Sequence, residues 1–213
     1  MKQRTCLGAC ALGLLLMLAS PASAAERFSL SFEGGYQGLS SASKSAKAVF
    51  DGSTGGITFG GSVRLAVSRM LFVGAGLRTF SKEGERVYVA DASGPVFKLG
   101  HPLKIKLRPF YGFAGLRFRA DSALVPYVAA GAGVTSYSED STIGGLDESS
   151  SESKFSWHAM AGADYALGSA FALGFEARWS STPNIIGLGG VSKVYGETDL
   201  GGFTVVGRLS FRR

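Results

Sequence analysis

The chain has 213 residues, a formal net charge of +6 and 31 glycines, about twice the ordinary glycine share. With 46% hydrophobic and only 18% charged residues, it is too apolar for a disordered tail, and its glycines lack the three-residue period of collagen. Its basic residues are dispersed with no Lys/Arg run of five or more, which argues against a nucleic-acid partner.

Residues 1–24 read as a secretory signal peptide. Lys2 and Arg4 form the basic start, Leu12–Leu18 the apolar stretch, and Ala22-Ser23-Ala24 the small-residue cleavage pattern. The apolar run is too short to span a bilayer. Both cysteines, Cys6 and Cys10, lie in this leader, so the remaining chain has no disulfide, thiolate ligand or cysteine nucleophile. Lys2 and Arg4 account for two units of the +6, which leaves +4 for the single domain expected over 25–213.

Beyond the leader the dominant pattern is alternation with period two, the pattern of strands with one apolar and one polar face. It predicts eight strands, at 28–38, 56–67, 71–81, 104–119, 124–137, 155–166, 171–181 and 202–211. In the first, Phe28, Leu30, Phe32 and Tyr36 oppose Ser29, Ser31, Glu33 and Gln37. In the last, Phe203, Val205, Gly207, Leu209 and Phe211 oppose Thr204, Val206, Arg208 and Ser210. The fourth changes rhythm: Ile105 and Leu107 are odd, whereas Phe110, Ala114, Leu116 and Phe118 are even. Pro109 stands at the change, and a bulge is predicted there.

The gaps alternate. Those at 39–55, 82–103, 138–154 and 182–201 are long, and those at 68–70, 120–123 and 167–170 are short. An up-and-down antiparallel sheet then carries its tight turns at one end and its loops at the other. This pattern fits an eight-stranded transmembrane β-barrel. A soluble barrel would carry dense mixed charge outside. Here all eight lysines of the mature chain lie in the long gaps or at the strand ends beside them. Phe28, Tyr36, Trp157, Tyr165, Trp179 and Phe211 are apolar-face aromatics near strand ends, suited to membrane–water interfaces.

The stretches LRPFYGFAGLRFR (107–119), LVPYVAAGAGV (124–134), WHAMAGADYALG (157–168) and FTVVGRLSF (203–211) resemble the small outer-membrane barrel family of OmpA, OmpX and OmpW type. The resemblance extends over 26–211 and implies a cell outer membrane location in a Gram-negative-type envelope. It also implies contact with outer-membrane lipid and lipopolysaccharide, and insertion by the barrel-assembly machinery. Family members usually end on an aromatic residue, whereas here Arg212 and Arg213 follow Phe211.

With the apolar face toward lipid, Glu33, Arg64, Arg78, Arg117, Asp164, Glu176, Arg178 and Arg208 face the lumen. An eight-stranded barrel is just wide enough for side chains to fill, so a paired ionic network plugging a monomeric barrel is the leading expectation. The role is then structural or surface-interacting, and non-enzymatic. The arginine excess leaves a narrow porin open as an alternative, and resemblance to OmpW-type relatives a conduit for small solutes. Inward Gly74, Gly76, Ala129, Gly131, Gly133 and Gly162 fit either water or close packing. A lipid A-modifying enzyme is the distant third. Ser156, His158 and Asp164 share a face, but in the order Ser-x-His, where the family's deacylases use His-x-Ser with a downstream Glu. No cofactor or metal is expected, since His101 and His158 sit on separate segments and the acidic loop 138–154 lacks calcium-loop spacing. The apolar segment Asn184–Leu188, with Val191 and Val194, is a candidate binding patch, a lid over the mouth, or a strand extension.

Overall fold

The computed structural model describes residues 27–143 and 146–213; the leader at 1–24 lies outside them. Eight antiparallel strands close into a barrel in which each pairs with its sequence neighbours and the last with the first. They are β1 Phe28–Gly38, β2 Gly55–Ala66, β3 Leu71–Val89, β4 Val96–Arg117, β5 Leu124–Ile143, β6 Leu146–Ala166, β7 Phe171–Ser181 and β8 Gly202–Arg212. Within the ring, closure pairs each strand on both sides: β1 joins β8 from Ser29↔Arg212 to Gln37↔Thr204.

The alternation decides which way each side chain points. Phe32 is 68% exposed, and Tyr36, Ile57, Phe59, Leu77, Phe110, Phe175 and Trp179 stand on the same outer surface. Ser31, Glu33, Thr58, Ser62, Arg78, Glu176 and Arg208 are buried inside. Apolar outside and polar inside inverts the arrangement of a water-soluble protein and suits a lipid surround.

Two of the sequence expectations are corrected. The gaps at 82–103 and 138–154 are largely strand, because β3 to β6 run for 19, 22, 20 and 21 residues while the other strands have 11 or 12. A membrane crossing takes about 9–11 residues, so two hairpins project past it as a four-stranded wall. Lys82, Lys98, Lys104, Lys106 and Lys154 lie on these projecting strands, and the other gap lysines on two short helices, α1 Ser43–Val49 and α2 Gly190–Tyr195. There is also no bulge at Pro109. The β3–β4 ladder passes from Leu77↔Phe110 to Phe80↔Leu107 in one register, and the shift comes later, between Glu85 and Val87. From Leu103 to Phe113 the odd residues of β4 point inward on both sides of Pro109, Leu107, Tyr111 and Phe113 alike. The apparent change of face arises because the interior itself turns apolar above the lumen.

That apolar interior is the core at the long-loop end. Leu39, Ala42, Ala46 and Phe50, from the turn Ser40–Ala42 and α1 with their flanks, pack on Phe80, Leu103, Ile105 and Leu107 of the wall, with Ile185 and Leu200 beside them. The segment 182–201 therefore folds over the mouth as a lid: Ile185 is buried, while Leu188 is 83% exposed on top. Glu197 fixes the two pieces together by accepting hydrogen bonds from the backbone N–H groups of Lys44 and Ser45, both at 2.9 Å. These are amides at the start of α1 that no intrahelical carbonyl serves.

Candidate functional site

The inward faces of all the strands but β4 supply the charged or hydroxyl groups that pair with one another at one level of the lumen. On β1, Glu33 accepts from Arg78 at 2.8 Å and from Ser62 Oγ at 2.7 Å. On β7, Glu176 pairs with Arg178 at 2.8 Å, Arg64 at 3.3 Å, Arg78 at 3.7 Å and Arg208 at 3.8 Å. On β6, Asp164 pairs with Arg64 at 3.0 Å and Arg208 at 3.5 Å. Arg208 also pairs with Glu33 at 3.5 Å and donates to Ser31 Oγ at 2.8 Å. Seven of the eight charged residues read from the sequence as luminal thus form one connected cluster. Tyr127 of β5 ties into it, donating to Glu176 at 2.9 Å and accepting from Arg208 at 2.6 Å.

Arg117 is the exception. It lies at the short-turn mouth, where its guanidinium donates to the backbone carbonyls of Arg69 at 2.9 Å and Ser68 at 3.2 Å. Its place at the very end of β4 puts it below the cluster's level. It braces the β2–β3 turn instead.

Aromatic rings fill the space between the charges, and the sequence reading did not identify them. The Arg64 guanidinium lies 4.1 Å from the centre of the Tyr127 ring, and that of Arg178 lies 4.2 Å from Tyr111. Phe72, Phe113, Ala129 and Met160 complete this buried layer. The information was present in the parity: Tyr111 and Phe113 share the odd face of Arg117, and Tyr127 shares the face of Ala129 and Gly131. The small inward residues are the counterpart of these rings. A Cβ at Gly74 would stand 2.4 Å from Phe113 Cζ, and one at Gly162 would stand 2.6 Å from Tyr127 Oη. A side chain from the neighbouring strand therefore lies over each glycine.

Ser156, His158 and Asp164 do not form a catalytic arrangement. Asp164 is held by the two arginines, His158 packs edge-on against Tyr111 with centroids 4.9 Å apart, and His158 Nε2 is buried without a hydrogen-bond partner. Nucleophilic catalysis requires a base bonded to the nucleophile and oriented by a third group.

Between the projecting wall and the lid is a second feature, a chamber of about 200 Å³. Leu39, Ala46, Phe50, Leu103, Ile105 and Ile186 line it, and Arg86, Tyr137, Glu139 and Ser45 supply its polar atoms. A smaller space of about 30 Å³ lies beneath, between the apolar core and the ionic cluster. Of the aromatics read as interfacial, Tyr36, Trp157, Tyr165, Trp179 and Phe211 are exposed on the outer surface, and Phe28 is half-buried at the short-turn mouth.

No curated protein sequence matches the chain. Among solved structures, neisserial surface protein A has the same fold with a TM-score of 0.55 and 14% identity, covering 91% of this chain and 100% of that one. A major outer membrane protein of Thermus thermophilus aligns with a TM-score of 0.56 and 12% identity, over 89% of this chain and 100% of that one. The profile described as outer membrane protein beta-barrel domain matches residues 9–203. With an apolar exterior, a charged interior and a closed ring of strands, the chain belongs to the outer membrane protein beta-barrel domain family, and its place is the outer membrane.

Proposed function

We propose that this protein is a non-enzymatic, monomeric barrel whose lumen is closed by its ionic and aromatic filling and whose extracellular cap is its working surface. The observation that carries the closed lumen is the bridging of opposite walls by buried ion pairs, β2 to β6 and β7 through Arg64, and β3 to β7 through Arg78. Four arginines face three carboxylates in this cluster, so nearly every charge has a counter-charge within reach, as burial requires. Above it the packed apolar core blocks the path a second time. The projecting wall, α1 and α2 form the cap, which would face lipopolysaccharide and the surroundings. Barrel-assembly machinery would insert the chain.

Proteoliposomes carrying the folded protein should swell in isosmotic arabinose no faster than protein-free vesicles; faster swelling would establish a conduit instead. The non-enzymatic part is checked by mass spectrometry of lipid A after overexpression. The spectrum should match that of the uninduced cells. A new lipid A species that disappears with His158→Ala would overturn it.

A further inference from the structure

The chamber under the lid carries a separate inference, independent of whether the lumen conducts. Its volume of about 200 Å³ exceeds the roughly 150 Å³ of a dry apolar cavity able to hold a six-carbon ring. Its walls are Leu39, Ala46, Phe50, Leu103, Ile105 and Ile186, so water gains few hydrogen bonds there. Ser45 borders the chamber, and its Oγ is buried with no hydrogen-bond partner. Such a hydroxyl costs stability unless something bonds to it.

The charges on the wall are, by contrast, already occupied. Arg86 pairs with Glu148 at 2.8 Å and Glu139 at 3.8 Å, and donates to Ser141 Oγ at 2.8 Å. Tyr137 donates to Glu139 at 2.7 Å, and burial together with the Glu139 carboxylate pushes its phenol above the usual tyrosine range, which keeps it neutral. An ionic ligand would have to break these pairs, whereas an uncharged one leaves them intact.

We infer that the extracellular chamber is a binding site for a small uncharged amphiphile, with an apolar body of about six to eight heavy atoms and one hydroxyl-like group that bonds to Ser45. The test uses the full barrel in lipid nanodiscs with labelled Ile, Leu and Val methyl groups, titrated with 1-hexanol. The methyls of Leu103, Ile105 and Ile186 should shift and saturate, whereas lipid-facing Ile57 and Leu77 change only in proportion to partitioned alcohol. Ser45→Ala should weaken 1-hexanol about fivefold, the effect of one hydrogen bond, and leave n-hexane binding unchanged. Sodium hexanoate should bind more weakly than 1-hexanol to the native protein. Proportional, unsaturated shifts at every methyl would overturn the inference. So would tighter binding of hexanoate, or equal loss of hexane and hexanol binding in Ser45→Ala. A conducting lumen would refute the closed-barrel reading and leave these results unchanged.

Discussion

Arg208 shows what a single luminal side chain does. Its side chain is 0% exposed and reaches three carboxylates, Tyr127 and Ser31. Breaking a buried ionic cluster by removing a member that reaches every carboxylate in it costs about 3–5 kcal/mol. Arg208→Ala should therefore lower the unfolding free energy by about that amount in urea titrations followed by gel mobility. Arg69→Ala should leave it unchanged within about 0.5 kcal/mol, because its pair with Asp121 is more than two-thirds exposed. The glycines provide a second contrast. Gly162→Leu meets Tyr127 and should destabilise by about 1–3 kcal/mol. At Gly207, where a Cβ finds nothing nearer than 3.9 Å, Ala should be within about 0.5 kcal/mol of native in the same assay. The charged members of the cluster were legible because parity places every polar residue of a strand on one face. Tyr111 and Tyr127 were not, since an aromatic residue in a barrel strand fits the lipid face as readily as a filled lumen.

β4 is the element where pattern and structure part. Its inward face is aromatic beside the lumen, at Tyr111 and Phe113, and aliphatic beneath the cap, at Leu103, Ile105 and Leu107. Its outer face is apolar only where lipid meets it, so two regimes of one continuous strand imitate a bulge. The projecting hairpins were hidden for a related reason. Outside the membrane a strand has no apolar outer face, and segments such as Ser149–Lys154 read as loop. These projecting strands carry exposed ion pairs. The hydrogen bond and charge of Lys104, 2.9 Å away, hold the Glu83 carboxyl below its usual range. Folding lowers this pKa, so the contribution is complete above the ordinary carboxylate value and is lost as pH falls through the lowered one. In NMR titrations Lys104→Ala should move the Glu83 midpoint upward. An unmoved midpoint would separate the two residues. For the lid, Glu197→Ala removes both hydrogen bonds to the start of α1. Amide exchange over residues 40–50 should then quicken at least roughly tenfold, the effect of losing about 1.4 kcal/mol of local stability, with the thermal midpoint of the barrel unchanged.

Along its axis the molecule is a stack of distinct layers. Arg117 braces the mouth at the short turns, the ionic and aromatic cluster occupies the membrane level, the apolar core lies above it, and the chamber lies beneath the lid. The barrel, its strand number and the sidedness of its turns followed from sequence because membrane burial imposes one period on every strand. The chamber did not, because it arises where the lid crosses the projecting wall, and the placing of Ile186 and Leu103 around one cavity leaves no trace in the periodicity of either segment. The lid itself was half legible, since an apolar run such as Ile185-Ile186 is rarely left in water. The proposed closure of the barrel rests on a lumen filled by paired charges. Single-channel recording in a planar bilayer tests it most directly, with protein whose folding has been verified by heat-dependent gel mobility. Inserted native barrel should give no discrete conductance steps. Reproducible steps, altered in ion selectivity by Arg78→Ala, would contradict it.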